Sequence, residues 1–455
     1  MLVIMYIMNY LDRNNIASAR LGGLEDDLGL SSVQFQTTVS ILFVGYLLMQ
    51  LPSNLFLDAI GKPSIYLPTA MVIWGVISTA TAACQGFVGL LICRFFLGFI
   101  EAAYFPGCLF FLSSWYTRKE LSFRTAALYS GALISGAFSG LIAAGVVDGM
   151  DGLHGLRAWR WLFIIEGALT VGIAFLAIWI LPDFPATTKW LTPQERALAI
   201  YRLEIDAGEV DADRGHGAGA KMKFLMKGGA LAFKDIRTYM LMVVLLGIVS
   251  SGGVTNFFPT VVATLGYNRV NSLLLTAPPY VLAVACTFFN AWHADRTGER
   301  FLHIAIPLCI SIAAFIIAAC TIKLAPRYLS MMLMVPSVYS AFVVALAWIS
   351  NSMPRPPAKR AAALAFINAV SNGSSIYVSY LYPLSDSPRY QMAMGVNAGT
   401  AAVSICMAFG LRTLLRKMNR QLESADKGEF GATGEIPGGG GVSVEQAKSG
   451  FRYLT

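Results

Sequence analysis

The sequence predicts an all-α membrane protein with twelve transmembrane helices in two pseudo-symmetric six-helix bundles. Three observations predict it. First, 56% of the 455 residues are hydrophobic and 13% are charged, far from the balance that water-soluble domains keep. Second, the chain divides into apolar runs of the length, roughly 20 residues, that crosses about 30 Å of hydrocarbon. Third, a polar stretch near residues 182–237 splits those runs six and six, and a short D-x-x-G motif recurs at the same place in each half.

In the first half the runs lie near residues 1–19, 36–57, 64–84, 88–112, 125–147 and 161–181. In the second they lie near 238–262, 272–293, 301–321, 328–350, 361–382 and 391–414. In the first run only Met1 to Leu11 precede the charged pair Asp12 and Arg13. The fourth is interrupted by "AAYFPG" just beyond Glu101, and the fifth carries Gly131, Gly136, Gly140 and Gly145, which suit close helix packing. The organisation is therefore a bundle over 1–181, a linker over 182–237, a bundle over 238–414 and a tail over 415–455. The tail contains "GEIPGGGGV" and is expected to bury no core. In the linker, "LTPQERALAIYRL" sets Thr192 as an N-cap, Pro193 at the first helical position and Glu195 at the third, a capping box opening a short amphipathic helix.

Lys and Arg gather on the linker side of the spans, at Lys62, Arg124, Arg296, Arg300 and Lys359 among others, which places the linker and both termini in the cytoplasm. The formal charge of +8 reflects this sidedness rather than nucleic-acid binding. The seven cysteines lie in or at the edges of apolar runs without a CxxC and read as small buried hydrophobes. The four histidines form no cluster in the sequence, so no metal site is expected.

Charges inside the runs carry the functional signal, since an ionised group near mid-bilayer costs on the order of 3 kcal/mol and survives facing a bundle interior or an aqueous cavity. In "MNYLDRNNI", Asn9, Asp12 and Arg13 stand at i, i+3 and i+4, read as one helical face. In the fourth run Arg94, Gly98 and Glu101 stand at i, i+4 and i+7. Two buried charges of each sign result; protonating one carboxylate would leave an excess of +1 that receives an anion. The repeated motif supplies Asp58 and Gly61 after the second run, and Asp295, Arg296, Gly298 and Arg300 after the eighth. Such repeats mark secondary transporters, and these residues are read as a gate joining the bundles on the linker face. Tyr10 and Tyr46 can offer hydroxyls to a central cavity, with Asn256 on the seventh run and Asn368 and Asn372 at i, i+4 on the eleventh. Glu166 in "WRWLFIIEG" reads as structural, near an inner helix end.

The stretches "NYLDRNNIASARLGGLEDDLGL", "LPSNLFLDAIGK", "RFFLGFIEAAYFPGCLFFLSSWYTRKELSFRTAALYSG", "AWHADRTGER" and "PRPPAKRAAALAFINAVSN" resemble the major facilitator superfamily. Within it they resemble the anion:cation symporter family, fungal allantoate permease-like branch. The resemblance implies proton-coupled uptake of a small organic carboxylate of the nicotinate, pantothenate or allantoate type across the plasma membrane. It also implies that Asp12 and Glu101 couple protons, that Arg13 and Arg94 bind the substrate carboxylate, that Glu101 takes the transported proton, and, since similar proteins carry some ten further apolar residues before this motif, that the first helix is truncated at its N-terminus. The expected partners are the bilayer, a small organic anion and a proton, with no nucleic acid, no cofactor beyond the proton gradient, and a monomeric chain.

No GxSxG, HExxH or P-loop is present, so neither an enzyme nor an ATP-driven pump is indicated. A nutrient sensor on a transporter scaffold, and a uniporter or exporter of an organic anion, remain as alternatives. Accumulation of a labelled carboxylate against its gradient, abolished by a protonophore, separates symport from these.

Overall fold

The computed structural model describes residues 1–116, 118–207, 229–353, 357–426 and 452–455. The N-terminal bundle comprises α1 (Leu2–Leu21), a short α2 (Leu24–Leu28), α3 (Ser32–Ile60), α4 (Pro63–Thr81), α5 (Phe87–Glu101), α6 (Tyr104–Ser113), α7 (Arg118–Gly149) and α8 (Ala158–Ile180). In the linker lies α9 (Pro193–Ala207). The C-terminal bundle comprises α10 (Ile236–Gly252), α11 (Phe258–Ala263), α12 (Arg269–Leu274), α13 (Ala277–Thr297), α14 (Phe301–Cys320), α15 (Leu324–Ser352), α16 (Pro357–Val378) and α17 (Gln391–Asp426). Three spans are broken helices: α5 with α6, α10 with α11, and α12 with α13.

Among the described residues, ten of these spans are long and apolar enough to cross a membrane by composition alone. The remaining two of the twelve, α1 and α16, are 20 and 22 residues long and are the spans richest in polar side chains near their middles. Helix α1 carries Asn9, Asp12, Arg13, Asn14 and Asn15, and α16 carries Asn368, Ser371, Asn372, Ser374 and Ser375. Both run through the protein interior, where polar side chains are shielded from lipid.

Glycines set how closely the helices approach. Gly75 and Gly167 face each other where α4 crosses α8, and a Cβ on Gly167 would stand 2.8 Å from the Gly75 carbonyl. On α7, Gly136 lies against the Tyr280 ring of α13 and Gly140 against Thr276, so two of the four expected packing glycines sit at the contact between bundles. Gly131 approaches the Val3 carbonyl of α1, whereas Gly145 faces open space. At the same end, away from the linker, Thr37 pairs with Tyr380 at 3.1 Å and Ser40 donates to the Ile376 carbonyl at 3.2 Å. These contacts seal the bundles together on the non-linker face.

The capping box at Thr192 forms: its amide donates to Glu195 Oε2 at 2.9 Å and its hydroxyl accepts from the Glu195 amide at 3.3 Å. Two boundaries differ from the sequence reading. Helix α7 begins at Arg118 rather than near 125, and α17 continues to Asp426, through the basic residues assigned to the tail. Hydropathy marks where lipid ends, whereas a helix stops only when its hydrogen-bond ladder does. The tail also buries more than its composition suggests. Tyr453 is 3% exposed, its amide donates to Asn419 Oδ1 at 2.8 Å, and the Leu454 carbonyl accepts from Trp348 Nε1 at 2.9 Å.

At the start of α10, Asp235 accepts from the Arg237 amide at 2.9 Å and pairs with Arg237 and Lys359 at 2.6 Å each. Burial raises this carboxyl, but hydrogen bonds and charge from Arg237 and Lys359 outweigh burial and bring it down to about 2. A folded value below the unfolded one gives stability that is complete above the ordinary aspartate range and lost as pH falls through about 2.

Two outcomes are expected in thermal denaturation of the detergent-solubilised protein. Gly167→Leu overpacks the α4–α8 crossing and costs about 1–3 kcal/mol, while Gly145→Ala, in open space, leaves the melting temperature unchanged. Asp235→Asn costs about 2 kcal/mol at neutral pH, and its difference from the parent fades as pH drops from about 4 towards 2.

Candidate functional site

Successive residues of a helix are turned by about 100°, so the polar cluster of α1 divides between two surroundings. Tyr6, Asn9, Tyr10, Arg13 and Asn14 occupy one arc and open on a cavity between the bundles. Phe43 and Tyr46 of α3, Phe105 of α6 and Tyr129 of α7 continue the wall. The C-terminal bundle closes it with Asn256, with Tyr339 and Phe342 of α15, and with Asn368, Asn372 and Ser375 of α16. The space amounts to about 940 Å³, its open mouth included.

Arg13 is the cation of this wall. Its Nη2 and Nε lie 2.9 and 3.0 Å from Glu101 Oε2, and its guanidinium sits over the rings of Tyr10 and Tyr46, 5.1 and 4.9 Å from their centroids. The arginine side chain is 12% exposed and the glutamate 0%, so the cation reaches the cavity while its counter-ion stays behind it. Gly98 permits this arrangement: a Cβ there would collide with the Leu42 carbonyl, so only glycine lets α5 come near enough to α3 to present Glu101 to α1. Two aromatic faces and one carboxylate leave the remaining edge of the guanidinium as the side from which an anion can approach.

Asp12 points elsewhere. It stands about 60° to the far side of Asn9, and the structure turns it away from the cavity into the N-terminal bundle, correcting the single-face reading of Asn9, Asp12 and Arg13. There it is 0% exposed and accepts from Ser78 Oγ at 2.6 Å and Thr170 Oγ1 at 2.7 Å. Arg94 is also absent from the cavity wall. Its Nη2 donates to the Arg13 carbonyl at 3.3 Å and its Nε lies 3.5 Å from the Thr38 carbonyl, so it braces the main chains of α1 and α3. Glu166 lies in the third turn of α8, toward the non-linker end rather than near an inner helix end, with neither carboxyl oxygen hydrogen-bonded. On the next turn of that helix Thr170 holds Asp12, so Glu166 and Asp12 belong to one buried region among α1, α4 and α8.

A sequence profile described as the Major Facilitator Superfamily matches residues 2–379. The chain belongs to the Major Facilitator Superfamily. Over 445 residues it is 32% identical to the MFS-type transporter cnsO of Penicillium expansum, covering 94% of this chain and 83% of that one. It is 33% identical over 316 residues to a putative tartrate transporter of Agrobacterium vitis, covering 69% and 66% of the two chains. Its fold is similar to that of a bacterial homologue of the human lysosomal transporter Spinster, in an inward-facing and unoccupied conformation. That likeness has a TM-score of 0.66 at 14% identity and covers 90% of this chain and 94% of the other. The chain is thus a membrane transporter of the superfamily type.

In the repeated D-x-x-G of this Major Facilitator Superfamily chain, both glycines end a helix, and the charged side chains of the second copy pair locally. Gly61 and Gly298 end α3 and α13 with φ of 66° and 69°, the left-handed conformation that glycine adopts without strain. Asp295 pairs with Arg300 at 2.6 Å within its own bundle, and Arg296 stacks on Trp292 at 5.5 Å, so neither reaches the other bundle as the gate reading expects. Both partners flank one turn, which brings them together whatever the bundles do. The side chain of Asp58 lies outside the described residues.

Sequence reasoning missed the aromatic collar of Tyr6, Phe43, Phe105, Tyr129, Tyr339 and Phe342. Only Tyr6, one turn before Tyr10 on α1, had a periodic signal; the others converge from four different helices. It also missed two pairings. His293 Nδ1 lies 2.6 Å from His303 Nε2, and Cys84 Sγ lies 3.8 Å from Cys93 Sγ, each across a turn that returns the chain on itself. Among the described residues no group of three or more potential ligands could hold a metal ion.

Removing one hydroxyl from Asp12 isolates part of a buried carboxyl, at a cost of about 1–3 kcal/mol. Ser78→Ala and Thr170→Val are each expected to lower the melting temperature accordingly. The double variant should cost more than the sum of the two, because the second removal leaves the carboxyl without a hydroxyl donor.

Proposed function

We propose that this protein is a secondary active transporter that couples a proton to the uptake of a small organic carboxylate by alternating access. The observation that carries the reading is the placement of Arg13, exposed at one edge to the central cavity and neutralised from behind by the fully buried Glu101. While Glu101 is ionised, the pair is neutral and a carboxylate gains little by entering. When Glu101 takes a proton, Arg13 keeps its charge without its counter-ion, and a substrate carboxylate becomes the competing partner. Proton and anion then favour each other's binding, and linkage makes that preference mutual.

In this scheme Arg94 acts through α1, holding the Arg13 main chain, and Asp12 is a second proton-coupling group set apart from the cavity. The neutral amides of Asn256, Asn368 and Asn372, with the Tyr10 and Tyr46 hydroxyls, suit the uncharged polar part of a small acid. Several features support the reading: the name of the Agrobacterium vitis relative, whose namesake substrate is a small organic acid, and the motifs resembling the allantoate permease-like branch. The Lys and Arg distribution supports a plasma-membrane orientation with the linker and both termini in the cytoplasm.

The test is uptake of labelled tartrate, nicotinate and other small carboxylates into proteoliposomes. Uptake of a true substrate is expected to rise as the outer pH falls from 7 to 5 and to lose its accumulation with a protonophore. Arg13→Ala should weaken transport about 10- to 100-fold, the worth of a charge-assisted contact. Glu101→Gln should keep binding while removing its pH dependence. Unchanged uptake by Arg13→Ala, or accumulation that persists with the protonophore, would overturn the proposal.

A further inference from the structure

Cys84 lies in the turn after α4 and Cys93 in the second turn of α5, and their sulfurs stand 3.8 Å apart. Several contacts build this approach. Arg160 Nη1 donates to the Cys84 carbonyl at 3.0 Å and also to that of Ala82, while its Nε and Nη2 are held by Asp27 Oδ2 at 3.2 and 3.0 Å. The turn bearing Cys84 is thereby pinned to the start of α8. On α5, Gly89 stands one turn before Cys93, and a Cβ there would make ordinary van der Waals contact with Cys84 Sγ at 3.5 Å, so the Cys84 side chain lies along α5 towards Cys93.

We propose that Cys84 and Cys93 are a redox-modification site that closes to an intramolecular disulfide, stapling α4 to α5 on the non-linker face. Each sulfur needs to move by about 1 Å to reach bonding distance. With hydrogen peroxide as oxidant, the less buried Cys93 sulfur, as thiolate, attacks one peroxide oxygen and becomes a sulfenic acid as the O–O bond breaks and hydroxide leaves. The Cys84 sulfur then attacks the Cys93 sulfur and displaces its hydroxyl as hydroxide. The two thiol protons convert both hydroxides to water, so two thiols and one peroxide give one disulfide and two waters. The staple fixes the axial position of α5, whose next residue is Arg94 and whose last is Glu101, against α4, whose Ser78 holds Asp12. It lies within one bundle, so it is compatible with rocking of the two bundles. Formation in the cell rests on the proposed orientation, which sets the non-linker face in the oxidising exterior; the geometry of the pair does not.

The experiment blocks free thiols with N-ethylmaleimide in denatured, unreduced membranes. Peptides are then mapped by mass spectrometry after chymotrypsin, which cuts at Phe87 between the two cysteines. The expected result is a Cys84 peptide joined to a Cys93 peptide until reductant is added, with a melting temperature several degrees lower after reduction. Cys93→Ser should show no joined peptide and a melting temperature indifferent to reductant. Joining only after the purified protein meets hydrogen peroxide would keep the site and overturn the orientation, leaving the carboxylate reading untouched. Separate, fully alkylated peptides after peroxide treatment of the unsubstituted protein would overturn the proposal, and this arm needs no variant to fold.

Discussion

The ion pair between Arg13 and Glu101 is the constraint around which the rest is arranged. Two opposite charges inside an apolar bundle are tolerable only together: their attraction offsets a desolvation cost of several kcal/mol per ion. Either one alone would be an uncompensated buried charge. The surrounding structure keeps them together by removing bulk, since Gly98 brings α5 against α3. The rings of Tyr10 and Tyr46 then replace part of the hydration that the guanidinium gives up. Such a pair contributes little net stability, yet in the proposed mechanism it is poised, because one proton on the glutamate changes what the arginine seeks.

That poise depends on α1 being a helix with two polar faces. One face presents tyrosines, amides and Arg13 to the space between the bundles. The other places Asp12 among hydroxyls on α4 and α8, inside a single bundle. Arg94 joins the faces through the main chain rather than through a shared pocket, since it holds the carbonyl of the residue that carries the cavity's charge. In the proposed mechanism, a change in the protonation of Asp12 or Glu101 acts on the same helix from opposite sides, a physical route by which a proton and an anion at different places influence one another.

The same logic explains why α1 and α16 are the least lipid-like spans. Their polar side chains face the protein interior and line the central cavity, so they are spared contact with lipid. The glycine contacts of α7 with α12 and α13 show the complementary solution, in which the absence of side chains lets the bundles meet closely on the non-linker face.

Much of this was legible in the residues. Composition and run length determined an all-helical membrane fold, because the hydrophobic thickness of a bilayer fixes how long an apolar helix must be. Charges in the middle of runs pointed to Asp12, Arg13, Arg94 and Glu101 for the same energetic reason, and the capping box at Thr192 announced itself because caps are local. What only the tertiary structure decided was which charges meet. A one-residue step along α1 separates Asp12 from Arg13 by a large angle, so spacing alone could not say that one faces two hydroxyls and the other a cavity. Likewise the aromatic collar, the Cys84–Cys93 contact and the docking of Tyr453 bring together residues distant in sequence or joined by turns of unknown path, and periodicity carries no information about how helices return on one another.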